Sequence, residues 1–406
     1  MARSGLASAN LLFDLGAKVS VTDANDNEST RRNAAQLKSK EIKLELGRHT
    51  REFIQGQDLV ILSPGVPDTA LPVTWADSLK IPVISEIELA WTLCPAEVIA
   101  VTGTNGKTTV TTLIGLILAA SSAKVFTCGN IGNPFSGEVE KMQAGDYVSL
   151  EVSSFQLERV NKFRPKISVI LNLSRNHLDR YKGMEDYLAA KKRIFLNQGK
   201  DDYLVLNQED EAIRRLAQET KAQVSYFSKS KDFNPNQAAV LAVGKILDID
   251  EQIILKVLKE FKGVEHRMEQ VAEIKGVKFI NDSKATTVDA TIWALRNLSG
   301  PVLLIAGGRE KGNDYALIRD LLREKVKEMI LIGEAKKKIK DALNGALSLG
   351  EAADLPQAVA MAFQKARSGD TVLLSPMCKS FDMFTDYEER GRVFKTAVVG
   401  LSGGRG

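Results

Sequence analysis

Between Val98 and Leu118 the chain reads VIAVTGTNGKTTVTTLIGLIL: an apolar run, a turn with two glycines and a lysine, then apolar residues at helical spacing. The turn, Gly103-Thr104-Asn105-Gly106-Lys107-Thr108-Thr109, has the parts of a phosphate cradle. Backbone N–H groups converge where a helix begins, and the helix dipole favours an anion there. Glycine lets the main chain approach an oxygen with no Cβ in the way. Lys107 would reach the β- and γ-phosphates, and the Thr108 hydroxyl would be a hard ligand for Mg²⁺. The G-x-x-x-x-G-K-[ST] pattern is incomplete, because Val101 stands at its first glycine. The bland alternative is a glycine turn with a solvated lysine. The flanking strand and helix and the doubled threonine favour a nucleotide, namely ATP.

Other polar residues stand at the ends of apolar runs. Glu151, in SLEVSSFQLE, closes a strand and has the oxygens to hold a second Mg²⁺, although a strand-end glutamate is more often a cap or an ion-pair partner. His177, in NLSRNHLDRY, is one of three histidines and earns notice only by its place at a strand's C-terminal edge. Lys191 and Lys192, in YLAAKKRIF, read as the start of a basic helix, for which a solvated face is the plain interpretation. INDSKATTVDAT puts Asp282, Ser283, Lys284 and Thr286 on a strand-to-helix turn, where a helix cap is the competing account. GGREKG, with Lys311, and SPMCKSFDMF form two further strand-end loops. Polar strand ends in separate domains imply a cleft that closes around more than one substrate.

The elements that must carry these residues are strand-like runs alternating with amphipathic helices, the pattern of parallel α/β layers. AKVSVTD is a strand ending in an acid, and DLVILSPGVP is a strand ending in a Ser-Pro-Gly turn. DYVSLEVSSFQLE and ISVILNLSRNHLDRY each deliver polar residues at the edge where open α/β sheets bind ligands. TLCPAE reads as a linker, AAVLAVGKILDIDEQIILKVLKEF as two helices, and the tail LSGGRG as unstructured. Three α/β domains are expected, at 1–93, 94–263 and 264–406.

Bulk properties bound the function. The 406 residues exceed one core, and 44% hydrophobic with 26% charged is ordinary for a globular protein. The 55 Lys and Arg against 51 Asp and Glu are interspersed, which argues against a nucleic-acid partner. Cys94, Cys128 and Cys378 are far apart, so neither a disulfide framework nor a cysteine zinc site is expected. The first residues make a poor signal peptide, and no run of about 18 apolar residues exists to span a membrane. The expectation is a cytoplasmic protein.

Eight segments occur in the order found in the Mur ligases, which the chain resembles from Arg3 to Phe394: VTGTNGKTT, LEVSSFQLE, NHLDRY, AAKKRIF, EHRME, NDSKAT, GGREKG and LLSPMCKSFDMF. GTNGK alone is shared with folylpolyglutamate synthases, whereas NDSKAT and SFDMF resemble the D-glutamate-adding member. The resemblance implies an N-terminal Rossmann-like UDP-binding domain, a central P-loop-type ATPase and a C-terminal Rossmann-like domain. It implies an ATP- and Mg²⁺-dependent amide ligase, a monomer, joining UDP-N-acetylmuramoyl-L-alanine to D-glutamate through an acyl phosphate.

By the same resemblance, Lys107 and Thr108 hold the triphosphate and the first Mg²⁺ with Glu151, and His177 is a ligand of the second metal. Lys191 matches a carbamylated lysine whose carboxylate serves that ion. Asn130 and Ser153 match contacts to the muramoyl-alanyl portion, and Asp282, Lys284, His266 and Arg267 match residues near the nucleotide. Thr286, Lys311, Ser380, Phe381 and Tyr387 match the D-glutamate pocket, and Arg3, Ser4, Asp23, Ser63 and Gly65 match turns facing uridine.

The chain also departs from the family. It starts where the family's first strand is already complete, which puts the first sheet and UDP affinity in question. Near Ser228–Asn234 the family has about thirty more residues. Phe233 stands for a histidine, Gln237 for an asparagine, Asn176 for an aspartate and Lys379 for a small residue. A nucleotide-binding relative without ligase activity therefore remains an alternative. An oxidoreductase, prompted by the acid after AKVSVT, lacks the G-x-G-x-x-G turn.

Overall fold

The computed structural model describes residues 1–174, 180–310, 312–343 and 345–403. The chain divides into two compact units, Met1–Phe261 and Lys262–Gly406.

In the first unit, β1 (Ser20–Asp23) pairs in parallel with β2 (Lys43–Leu46), and β3 (Val60–Leu62) with β4 (Val83–Ser85). These four strands form two separate pairs among the described residues rather than one sheet. The helix Arg3–Asp14 packs on both pairs, burying Ser8, Ala9 and Leu11. The remaining strands of this unit are β5 (Glu97–Thr102), β6 (Val125–Gly129), β7 (Tyr147–Glu151), β8 (Ile167–Ile170), β9 (Tyr203–Asn207) and β10 (Gln223–Phe227). They form one parallel sheet in the order β10-β9-β8-β5-β7-β6.

Strands buried on both faces must read as continuous apolar runs. Val98 to Val101 and Ile167 to Ile170 are buried, and apolar apart from Ser168, whose Oγ donates to the Ile194 carbonyl at 3.0 Å. The helix Lys107–Ala120 covers one face with Val110, Leu113, Ile114, Ile117 and Leu118, the i, i+3, i+4 stripe of a core helix. Each such side chain stabilises by roughly 1.5–3 kcal/mol as an upper figure.

The expected linker TLCPAE is mostly structured. Thr92 and Leu93 finish the helix Glu86–Leu93 and Glu97 starts β5, so only Cys94–Ala96 connect them. That helix is held by Glu88, whose buried carboxylate accepts the N–H groups of Asn161, Lys162 and Phe163 at 2.9, 2.6 and 3.0 Å.

The second unit contains β11 (Glu269–Ile274), β12 (Val277–Asn281), β13 (Val302–Gly307), β14 (Val326–Ile332), β15 (Ser348–Glu351) and β16 (Thr371–Leu374). Their order is β11-β12-β16-β13-β14-β15, parallel except for the β11–β12 hairpin at one edge. The loops leaving β12, β13 and β16 therefore emerge together at one sheet edge. The last helix runs over Tyr387–Gly403, so the tail expected to be unstructured is helical as far as Gly403. Among the described residues no helix is long and apolar enough to cross a membrane.

Candidate active site

The glycine turn leaves β5 and enters the helix Lys107–Ala120 with Gly103 at φ 152° and Gly106 at φ 83°. Both backbones favour glycine, and space enforces it. A Cβ at Gly103 would lie 2.9 Å from the Leu171 Cβ, and one at Gly106 would lie 2.4 Å from Oδ1 of Asn236. No side chain caps the helix N-terminus, as an anion-binding terminus requires.

Two lysines converge on the turn. Lys107 Nζ donates to the carbonyls of Gly103 and Thr104, both at 3.0 Å, and Lys191 Nζ donates to the same Gly103 carbonyl at 2.9 Å. Lys191 does not begin a helix on a solvated face; it lies in the last turn of the helix Met184–Lys192 and is 1% exposed. The helix face decides this, because Tyr187 and Lys191 are one turn apart and both point inward. The Lys191 ammonium lies 4.4 Å from the Tyr187 ring centre. Burial, and then the charge of Lys107, push its pKa well below that of an ordinary lysine.

Glu151 ends β7, beside Val101 of β5 and Gly129 of β6. It is 1% exposed, and its Oε1 accepts from Asn130 Nδ2 at 2.7 Å. Its Oε2 is buried with no hydrogen-bond partner among the described residues. An orphaned carboxylate oxygen is costly. With the buried Thr108 hydroxyl it offers hard oxygen donors, so these residues fit a magnesium ion.

Ser153 caps a short helix through a reciprocal pair with Gln156. Arg3 reaches the Gly132 carbonyl at 3.3 Å, in the turn that carries Asn130, and Ser63 Oγ lies against Gly5. Gly65 is exposed beside it, Ser4 is half-buried, and Asp23 ends β1, accepting from the Asn25 N–H at 2.8 Å. Thr109 lies in the first turn of the Lys107–Ala120 helix. His177 and Lys311 lie outside the described residues.

Sequence reasoning missed Asn172 and Asn236, which touch the turn, and Tyr187, whose hydroxyl lies 3.4 Å from Thr104 Oγ1. The polar residue after the apolar run ISVIL was the available signal for Asn172. Gln237, which stands where the family has an asparagine, accepts from the Asn234 N–H in the capping box of the helix Pro235–Ile246; its neighbour Asn236 meets the turn.

In the second unit the strand-end loops form a connected polar cluster. His266 is buried at φ 62°, its Nδ1 2.9 Å from Asn281 Nδ2. Burial lowers its pKa. Glu265 and Glu269 flank it, and Lys395 bridges the two carboxylates at 2.9 and 2.7 Å. Asp282 follows β12, 5% exposed, and accepts from Ser375 Oγ at 3.0 Å. Burial pushes its carboxyl up to about 7.

The helix cap expected at this turn is Thr287, so Asp282 and Ser283 serve another purpose. Arg390, fully buried, donates to Ser283 Oγ at 3.0 Å, the Ser283 carbonyl at 2.8 Å and the Cys378 carbonyl at 3.1 Å. Lys284 Nζ lies 5.6 Å from the Tyr387 ring centre, and Ser380 is buried. Phe381 is exposed, and the Thr286 N–H turns back to the Lys284 carbonyl. Lys379 pairs through its backbone with Arg309 and leaves its side chain exposed. Arg267 Nε is buried with no hydrogen-bond partner among the described residues.

Three family descriptions match successive parts of the chain. The Mur ligase MurD-like N-terminal domain matches residues 1–85, the Mur ligase middle domain 101–257, and the Mur ligase glutamate ligase domain 266–378. The chain belongs to the Mur ligase family. Among relatives, the UDP-N-acetylmuramoylalanine–D-glutamate ligase of Geotalea daltonii is 40% identical, covering 100% of this chain and 97% of that protein. The ligase of the same name from Thermoanaerobacter pseudethanolicus is 41% identical, over 98% and 96%. The alignment with the Geotalea protein spans 441 positions, so that relative carries residues this Mur ligase chain lacks.

Among solved structures, UDP-N-acetylmuramate-alanine ligase MurC from Thermotoga maritima superposes with a TM-score of 0.61 at 20% identity, covering 99% and 98% of the two chains. MurF ligase from Thermotoga maritima, in complex with ADP, gives 0.57 at 15% identity over 87% and 97%. At these identities the likeness is one of fold.

Proposed function

We propose that the chain is an ATP-dependent ligase that adds D-glutamate to UDP-N-acetylmuramoyl-L-alanine, acting as a cytoplasmic monomer in peptidoglycan precursor synthesis. The near-complete alignment with ligases of that name supports the reading. The geometric observation that carries it is the meeting of Lys107 and Lys191 at Gly103, on the sheet edge where Glu151 keeps an unsatisfied oxygen.

A carboxylate is a poor acylating agent. Transfer of the γ-phosphoryl of ATP to the L-alanyl carboxylate gives an acyl phosphate; the D-glutamate amine then forms the amide bond as phosphate leaves and the amine proton is lost. Catalysis of such a transfer is positioning and charge neutralisation. The Gly103–Thr109 turn binds the triphosphate, and Lys107 swings from the loop carbonyls onto its β- and γ-oxygens. Thr108 and Glu151 would hold Mg²⁺, which when bound neutralises the phosphate oxygens. Asn130 orients Glu151 and, with Ser153, meets the muramoyl-alanyl part, while Arg3, Ser4, Asp23, Ser63 and Gly65 meet the uridine end.

Burial, and then the charge of Lys107, shift Lys191 toward the neutral amine, the form that can take up carbon dioxide. An N–C bond forms, a proton is released, and the resulting carboxylate would join the His177 imidazole as a ligand of a second Mg²⁺. In the second unit Asp282, Lys284, His266 and Arg267 are assigned to the nucleotide. Thr286, Lys311, Ser380, Phe381 and Tyr387 are assigned to D-glutamate, Lys311 pairing with a carboxylate of the acceptor.

The test is phosphate release with ATP, Mg²⁺ and UDP-N-acetylmuramoyl-L-alanine across a panel of amino acids. Release that requires both the nucleotide sugar and D-glutamate supports the reading. Release indifferent to the acceptor, or none, ends it. Lys311→Ala should raise the KM for D-glutamate far more than that for ATP, and equal effects on both would remove that assignment.

A further inference from the structure

Strands β5 and β8 pair through Thr102 and Ile170, and their chains continue to bond beyond that point. Leu171 N–H donates to the Thr102 carbonyl and Thr104 N–H to the Asn172 carbonyl, both at 3.0 Å. The Asn172 side chain then takes the place of a further strand residue. Its Oδ1 accepts the Asn105 N–H at 2.9 Å, and its Nδ2 donates to the Asn105 carbonyl at 3.0 Å. Next along, Ser174 N–H donates to Thr104 Oγ1 at 3.0 Å. The carboxamide thus grips both peptide groups flanking the Asn105 Cα and fixes their planes.

Two consequences follow. The amides of Thr104 and Asn105 are already committed, so an anion at this turn is met by amides from Gly106 onward. The chain also arrives at Gly106, where φ turns positive, with its preceding residue clamped. A loop that must present several N–H groups to one phosphate loses affinity when it has to be ordered first.

We propose that Asn172 is a positioning residue for the nucleoside triphosphate, holding the phosphate turn in its binding form through Asn105 without touching the nucleotide. This rests on the phosphate reading of the turn. Donor and acceptor are both needed at this reach. An aspartate keeps the acceptor for the Asn105 N–H but faces the Asn105 carbonyl with a negative charge, and alanine offers neither.

The experiment is calorimetric binding of a non-hydrolysable ATP analogue with Mg²⁺ to the full chain, wild type against Asn172→Ala and Asn172→Asp, alongside thermal melting and the three substrate KM values. Asn172→Ala is expected to weaken nucleotide binding by about tenfold, the worth of one or two hydrogen bonds. The KM for ATP should rise in step, while those for D-glutamate and the nucleotide sugar stay within about twofold. Asn172→Asp should weaken it by a similar or smaller factor and melt close to wild type, which keeps the test available if the alanine variant does not fold. Nucleotide affinity unchanged in a folded variant, or equal rises in all three KM values, would overturn the proposal. Calorimetry needs no turnover. A wild type that binds the analogue without making product therefore sinks the ligase reading alone, and equal binding by wild type and variants sinks this inference alone.

Discussion

Glu151 in the first unit and Arg267 in the second leave opposite needs unmet. At the edge of the first unit's sheet one orphaned atom is an acceptor, Oε2 of Glu151, buried without a donor among the described residues. In the second unit's cluster one is a donor, Nε of Arg267, buried without an acceptor among the described residues. Around each orphan most neighbours satisfy one another: Asn130 holds Glu151, and Asn281, Ser375 and Arg390 tie the second cluster together. A buried polar group with no partner costs free energy, which a bound partner of opposite character would offset. One edge asks for a cation and the other for an anion. Under the proposed function a magnesium ion would answer the first and an anionic oxygen of the nucleotide the second.

Substitutions can break this contrast. Lys107→Ala should have the largest effect, a loss of turnover on the order of a thousandfold with the circular dichroism melt unchanged; retained activity would remove the phosphate assignment. Lys191→Ala should also abolish turnover, with partial rescue by formate or acetate, and indifference to either would rule out a carbamate. Glu151→Gln should lower kcat by roughly a hundredfold and raise the Mg²⁺ concentration needed for half-maximal rate. Because it removes a buried charge rather than a satisfied one, it should leave the melting temperature equal or higher. A lower melting temperature would mean that Glu151 is structural.

The smallest effect sharpens the anionic side of the comparison. Burial pushes the Asp282 carboxyl up to about 7, against 3.8 for an ordinary aspartate, so between these values the folded state keeps a proton that the unfolded chain has released. Its contribution to stability is present below about pH 4 and is lost as pH rises toward 7. The melting temperature of Asp282→Asn relative to wild type should therefore climb from pH 4 to 7 and level off above. A difference that is flat with pH would mean the carboxyl is not held neutral.

Much of this was legible in the residues. Strands buried on both faces leave unmistakable apolar runs, which is why β5, β7, β8, β13 and β16 could be read directly. The glycine turn carried its own chemistry. What could not be read was burial of a charge. Lys191 follows alanines and precedes another lysine, a local pattern that suits a surface, and only the packing of Tyr187 and the Gly103 carbonyl turns it inward. The partnerships of Asn172 and Asn236 were invisible for a related reason: the groups they meet are about 67 and 130 residues away, and no spacing rule connects them. The second-unit loops were found as polar strand ends, but Arg390, which binds Ser283 and Cys378, sits inside an ordinary charged helix sequence.

The tight seat of Gly103 against Leu171 limits how this protein can change. Even alanine there would have to push a neighbouring strand aside, so heritable variation in nucleotide handling has no small step available at that position. Adaptation, or a designer wishing to alter the nucleotide accepted, would have to work from the rim of the turn, where the Asn105 side chain is exposed.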